Sequence, residues 1–250
     1  MSETIFSFNL YILSLLNLLF MKFQKPLIHG RLIKRYKRFL ADVKLDSGEI
    51  ITAHCTNSGT MKSCLEENAE VYLTPVDDPK RKTKFTWEMI KINGNWIGIN
   101  TGNPNKLAFD AVKNGEIEKL KGYTEVKREV KFDDSRFDVM AQNEHETCFI
   151  EVKNVTLKEE NYARFPDAVT TRGKKHLETL IKVKKQGMRA VMLYVIQRMD
   201  VDIFAPAKEI DPEYAKTLKK ANKKGVEIIP IQAKVTPEKI EFVRELPFEL

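Results

Sequence analysis

Ser135-Arg136-Phe137-Asp138 and Glu151-Val152-Lys153 are the stretches of this chain whose residue types and spacing could do chemistry. Each sets an acidic residue among apolar ones, as the inner face of a half-buried strand would. Lys153 follows Glu151 by two positions, which the strand period places on the same side. If Gln142 to Thr147, around Asn143-Glu144-His145-Glu146, is the turn of an antiparallel pair, Asp138 lies directly opposite Glu151. Cross-strand neighbours on one face have Cβ atoms roughly 4.5 to 5.5 Å apart, so both carboxylates reach one divalent cation. Phe137, Val139, Ile150 and Val152 then fall on the other face as the core behind the pair. Two carboxylates so close repel unless a proton or a metal lies between them, which asks for Mg²⁺ or Mn²⁺ at Asp138 and Glu151. The competing reading is a solvated strand face with an ordinary Glu/Lys pair, common on half-exposed strands.

The elements that must position these residues follow from the pattern on either side. Arg38 to Leu45 alternates, Asp46-Ser47-Gly48 turns, and Glu49 to Ala53 runs back as a hairpin. Lys84 to Ile92 and Trp96 to Asn100 flank Asn93-Gly94, a strong two-residue hairpin signal. With Glu70 to Leu73, about five short strands precede Thr101, a number that suits a small barrel of the OB type. Thr101-Gly102-Asn103-Pro104-Asn105 breaks the strand pattern, and a helix is expected from Lys106 to about Leu120. Strand Glu125 to Phe132, the two acidic strands, a helix from about Arg172 to Gln186, strand Met188 to Ile196, helix Pro212 to Lys223 and strand Val226 to Ile231 complete a mixed sheet. The fold class is therefore α/β overall, in two domains. Residues 21–102 are expected to form the barrel and residues 103–250 the mixed-sheet domain.

The chain carries a formal net charge of +7, which favours a polyanionic partner such as nucleic acid. In the barrel segment Arg31, Lys34, Arg35, Tyr36, Lys37 and Arg38, then Lys80, Arg81, Lys82 and Lys84 beside Phe85 and Trp87, interleave cations with aromatics. That mixture can track phosphates and stack bases, or equally protect sheet edges. Arg172, Lys174, Lys175 and His176 open a helix whose N-terminal N–H groups already favour phosphate, with a merely basic helical surface as the alternative. His176 could assist proton transfer, although a lone histidine is more often packed or hydrogen-bonded.

Cys55, Cys64 and Cys148 are too few and scattered for a disulfide scaffold and fit reduced thiols in a cytoplasmic protein. Cys148 alternates onto the core face of its strand. His54, Cys55 and Cys64 lack zinc-ligand spacing, and no nucleophile elbow is present, so neither zinc nor an organic cofactor is expected. Asn57-Ser58-Gly59 reads as a turn with a polar, substrate-facing edge. Residues 1–20 are apolar but short of a spanning helix and lack a basic start and a cleavage site. They are expected to be an extension outside the fold, with an anchoring helix as the alternative and no other membrane role.

Pro26 to Val43, Thr52 to Gly59, Ser135 to Asp138, Glu151 to Leu157, Phe165 to Val169 and Arg172 to Leu177 together resemble the sugar fermentation stimulation protein A family, in order and over nearly all of the chain from Met21. Residues 1–20 have no counterpart in that pattern, and Thr56 stands where it usually has proline. The resemblance implies an OB-like N-terminal domain, a restriction-endonuclease-like C-terminal domain, DNA binding and a role in the expression of sugar-utilisation genes. Taken with it, Asp138, Glu151 and Lys153 read as a nuclease constellation in which the carboxylates hold the metal and the lysine positions water and balances charge. Arg35, Tyr36, Lys37, Arg38, Arg136, Arg172, Lys175 and His176 are the expected contacts to nucleic acid, DNA or RNA. The other reading is a non-catalytic DNA-binding regulator. The oligomeric state is left open.

Overall fold

The computed structural model describes residues 20–250. Strands β1 (Phe20–Lys22), β2 (Ile28–Tyr36), β3 (Leu40–Leu45), β4 (Ile50–His54), β5 (Glu70–Pro75), β6 (Phe85–Ile92) and β7 (Asn95–Gly98) come first. Strands β2 to β6 close on themselves. β2 pairs with β3 and β5, β3 with β4, β5 with β6, and a parallel bridge from His54 to Thr86 seals β4 against β6. Closure removes the free edges that a short open sheet would expose. The interior holds Leu32, Val43, Val71, Leu73 and Trp87, one from each alternate position of its strand. Gly48 at φ 88° makes the β3–β4 turn, while Asn93 at φ 48° and Gly94 at φ 77° make the β6–β7 turn, both where the turn residues require positive φ.

The basic segment beginning at Arg31 belongs to β2, a long strand hidden in the sequence by its charges. Trp87, grouped above with the surface aromatics, is fully buried and its indole N–H donates to the Met89 carbonyl. Trp87 points into the barrel core, while Met89 of the same strand packs into the core of the second domain, so β6 is covered on both faces and Trp87 does not reach the surface.

Helix α1 (Gly102–Lys113) starts earlier than expected and stops at Asn114-Gly115, where Gly115 takes φ 68°. A separate 3-10 turn, Glu118–Leu120, follows, so one helix through Leu120 is not formed. Next come β8 (Glu125–Phe132), β9 (Ser135–Gln142), β10 (Thr147–Val155), β11 (Leu157–Glu159), β12 (Tyr162–Phe165), α2 (Thr171–Lys185), β13 (Arg189–Ile196), β14 (Ile203–Pro206), α3 (Pro212–Lys223), β15 (Glu227–Val235) and β16 (Lys239–Glu245). The main sheet has the order β1-β16-β15-β13-β10-β9-β8, and β11, β12 and β14 form a small second sheet. β10, β13 and β15 are parallel and the outer pairings antiparallel.

Leu107, Ala108, Ala111 and Val112 of α1 cover one face of the main sheet. Leu177, Leu180 and Val183 of α2 and Tyr214, Leu218 and Ala221 of α3 cover the other. β13 lies between them and is buried from Ala190 through Ile196, as a parallel strand covered on both faces must be. β1 does not join the barrel as the 21–102 boundary expects; Phe20–Lys22 pair with β16 at the edge of the main sheet, and Met21 enters that core. The remainder of the apolar stretch, residues 1–19, lies outside the described residues. No described helix is long and apolar enough to cross a membrane.

Barrel and sheet are laced together on two sides. Gly98 N–H donates to the Gln197 carbonyl at 3.0 Å, and a Cβ on Gly98 would meet the Gln197 side chain. On the other side Asp167 accepts from Met61 N–H at 3.1 Å, Thr60 Oγ1 donates to the Asp167 carbonyl at 3.0 Å, and Ser63 Oγ donates to the Thr156 carbonyl. Tyr72 and Trp96 of the barrel pack against the core that α1 covers.

Candidate active site

Between these two seams lies a cleft of about 490 Å³. The barrel contributes Arg38 and Asn57-Ser58-Gly59. The second domain contributes Asn105, Asp138, Glu151 to Asn154, and Arg164 to Thr170 with Arg172.

Register places the carboxylates as the turn spacing predicts. Pairing runs from Gln142↔Thr147 to Val139↔Ile150, so Asp138 comes next beside Glu151. At that step the Asp138 carboxylate takes over from the regular ladder: its Oδ2 accepts the Val152 N–H at 2.7 Å, and its Oδ1 accepts from Asn105 Nδ2 at 2.6 Å. One expectation fails here. Val139, Ile150 and Val152 do share the core under α1, but Phe137 packs on the opposite face, 5.6 Å from the Phe149 ring and 6.2 Å from the His176 ring. The alternation slips at Asp138, aligned with Glu129, a non-glycine residue at φ 54°. Cys148 is buried on the α1 face, as its alternation predicts.

Glu151 is 2 % exposed, and its two oxygens differ. Oε1 is held by Lys153 Nζ and His176 Nδ1, while Oε2 has no partner. His176 accepts at Nε2 from Arg172 Nε at 3.5 Å. Because a guanidinium has no lone pair to offer, Nε2 must be the acceptor, which leaves the ring proton on Nδ1 facing Glu151. Burial acts to raise the Glu151 pKa, but the Lys153 charge and the His176 hydrogen bond outweigh it and hold the carboxyl below its ordinary range. Asp138 behaves oppositely. Burial, then the neighbouring Glu151 charge, pushes it up to about 7.

A buried carboxylate oxygen without a donor, beside a second carboxylate whose ionisation is opposed, is an arrangement that a cation between the two would complete. Among the described residues no group of three or more His, Cys, Asp or Glu side chains could hold a metal. Two protein carboxylates suffice for Mg²⁺, which keeps several waters and takes the rest of its shell from substrate phosphate. The donor set therefore fits a hard divalent cation.

The expected nucleic-acid contacts separate into groups. Arg38 and Arg172 line the cleft and are exposed. Arg35 does not reach it freely: its guanidinium donates to the carbonyls of Arg38, Asn57, Gly59 and Thr60. Tyr36 donates to Asp42. His176 is 5 % exposed and faces Glu151, so it supports the site from behind. Lys37, Arg136 and Lys175 are exposed but do not line the cleft, and Lys175 is paired with Asp134. Lys174 and Lys182 are likewise paired, with Glu213 and Asp133. Sequence reasoning missed Asn105, which holds Asp138 from the first turn of α1, and Arg164 and Asp167 on the far wall. Asn105 stands in a breaker cluster, and nothing local distinguishes it from an ordinary turn residue.

A closed OB barrel joined to a mixed sheet with a carboxylate pair on its central hairpin defines a two-domain protein of restriction-endonuclease-like fold. Sequence comparison agrees. A family model described as the sugar fermentation stimulation protein RE domain matches residues 102–239, and one described as the SfsA N-terminal OB domain matches residues 33–99. The chain belongs to the sugar fermentation stimulation protein family. It is 50 % identical over 222 residues to the sugar fermentation stimulation protein homolog of Geotalea uraniireducens, covering 88 % of this chain and 96 % of that one. To the homolog of Geobacter sulfurreducens it is 47 % identical over 224 residues, covering 89 % and 96 %. Among solved structures it resembles SfsA of Pyrococcus furiosus in complex with Ca²⁺, with a TM-score of 0.85 at 28 % identity over 93 % of this chain and all of that one.

Proposed function

We propose that the protein is a metal-dependent nuclease whose site is Asp138, Glu151 and Lys153, acting on nucleic acid held between the barrel and the sheet. The observation that carries this is the orphaned Glu151 Oε2 beside Asp138 in a cleft lined by Arg38 and Arg172, which form no ion pair among the described residues. Asp138 and Glu151 would hold Mg²⁺ or Mn²⁺, and the Ca²⁺ complex of the Pyrococcus relative supports a divalent cation in a protein of this fold. Bound there, the cation would supply Lewis acidity toward a phosphate oxygen and a more acidic water.

The chain's own residues do the rest. Arg38 and Arg172 bind phosphate in bidentate fashion from opposite domains. Lys153, part-buried beside Glu151, sets a positive charge where a phosphorane accumulates negative charge. Asn105 and the Val152 N–H orient Asp138, and His176 with Lys153 occupies Glu151 Oε1, which leaves Oε2 without a partner. Single- and double-stranded DNA and RNA incubated with Mg²⁺, Mn²⁺ or EDTA, beside Glu151→Ala, test the proposal. Metal-dependent cleavage that disappears in the variant is expected. Tight binding with no cleavage of any substrate would leave the DNA-binding regulator instead.

A further inference from the structure

Arg38, on the barrel side of the cleft, is followed by Phe39, which leaves 47 % of its surface in solvent. A single exposed phenylalanine is ordinary. This one is set up differently in three respects. Its ring lies nearly parallel to that of His54, at 17° with centroids 6.4 Å apart, so a second ring accompanies it while about half of its surface stays open. Its neighbours Lys37 and Arg38 are exposed cations that form no ion pair among the described residues. The turn that presents it is rigidly referred to the cleft. Lys37 and Arg38 take φ 49° and 62°, and Arg35 ties the Arg38 carbonyl to those of Asn57 and Gly59 on the cleft wall. Phe39 N–H donates to the Lys37 carbonyl, and its own carbonyl accepts from Cys55 N–H at 2.8 Å, joining it to the strand that carries His54.

An open aromatic face beside an unpaired guanidinium, held at fixed distance from a phosphate-handling cleft, matches the repeating unit of a single strand, one base and one phosphate. A base inside a duplex has both faces covered by its neighbours and cannot use such a platform. We infer that Phe39, backed by His54, is a stacking subsite for an unpaired base of a single-stranded oligonucleotide whose adjoining phosphate meets Arg38. The inference rests on the proposed function for its cleft and adds the strandedness of the ligand and the residue that reads it.

Fluorescence anisotropy in EDTA tests the subsite without any cleavage. The probes are a labelled thymidine 20-mer, a uridine 20-mer, an abasic strand of the same phosphate count and a blunt duplex. The wild-type protein should bind the thymidine strand roughly tenfold to a hundredfold more tightly than the abasic strand. Phe39→Ala should bind the thymidine strand as weakly as the abasic one and the duplex within about twofold of wild type. Phe39→Trp, with a larger face, should bind at least as tightly as wild type. The uridine strand should show the same dependence if the base alone is read, and a DNA-only effect would assign the subsite to DNA. Equal affinity of wild type for thymidine and abasic strands, an unaffected Phe39→Ala, a weakened Phe39→Trp, or equal losses on single strand and duplex would each overturn the inference. None of these bears on the nuclease proposal, which metal-dependent cleavage by wild type against Glu151→Ala decides separately.

Discussion

Arg35, Tyr36, Lys37 and Arg38 on the barrel and Asp138, Glu151 and Lys153 on the central hairpin of the sheet are both dense in polar side chains, and their sequence alone suggests function for each. They differ in where those atoms go. In the barrel, Arg35 is saturated by main-chain carbonyls and Tyr36 by Asp42, so half of an apparent phosphate-binding cluster is scaffolding. On the hairpin, Glu151 Oε2 is buried without a partner, as is Asn154 Nδ2 further along β10, and ionisation is opposed at the neighbouring Asp138. Charge density alone does not separate a scaffold from a site. An unpartnered buried carboxylate oxygen beside a second carboxylate whose ionisation is opposed does, because two such groups together cost stability unless something else completes them.

Substitutions on the two regions test this contrast. The largest effect is expected for Asp138→Ala and Glu151→Ala, which should abolish metal-dependent cleavage in a gel assay while the far-ultraviolet circular dichroism stays that of wild type. Retained cleavage in either would move the site elsewhere. His176→Ala should weaken Mn²⁺ binding by roughly 10- to 100-fold by calorimetry, since it removes a support to a ligand without removing the ligand; an unchanged affinity would make His176 simple core.

Gly59→Ala probes the seam on the barrel side. A Cβ there would sit 2.1 Å from the Asp167 carboxylate, which itself holds Met61 N–H, so yielding breaks the lacing. A loss of about 1–3 kcal/mol is expected, or roughly 2–4 °C in Tm per kcal/mol. An unchanged Tm would show that Asp167 swings away freely.

The pH dependence follows from Asp138. Its pKa in the folded chain is raised to about 7, so between the ordinary aspartate range and about pH 7 the native state holds a proton that the unfolded chain has released. Stability from this group is complete below the ordinary aspartate range and is lost as pH rises through about 7 when metal is withheld. Metal must displace the same proton, so cation affinity should rise about tenfold per unit up to about pH 7 and then level off. A flat calorimetric profile across that window would refute the assignment of Asp138 as a ligand. The smallest effect belongs to Lys175→Ala. Its pair with Asp134 is solvent-exposed and contributes little to stability, and nucleic-acid affinity should change by less than about twofold, where Arg172→Ala should weaken it several-fold.

Much of this is legible in the sequence. The Asn93-Gly94 turn, the bounds of β8 and α3, and the register that sets Asp138 beside Glu151 all follow from local turn chemistry and a period of two, which act over a few residues. β2 escaped notice because its polar residues masked the alternation. β11, β12 and β14 escaped because strands of three or four residues carry too little pattern to be told from loops.

Residue type and short-range spacing are enough for the order of barrel and sheet, the carboxylate pair and the lysine beside it. Only the tertiary structure decided that Asn105 holds Asp138 across 33 residues, that His176 turns inward to Glu151 instead of outward to phosphate, and that Arg38 and Arg172 face one cleft from two domains. The physical reason is the same in each case. A hydrogen bond is a statement about which two atoms meet and which are thereby no longer free, and for residues far apart in the chain only the packing of barrel against sheet settles that.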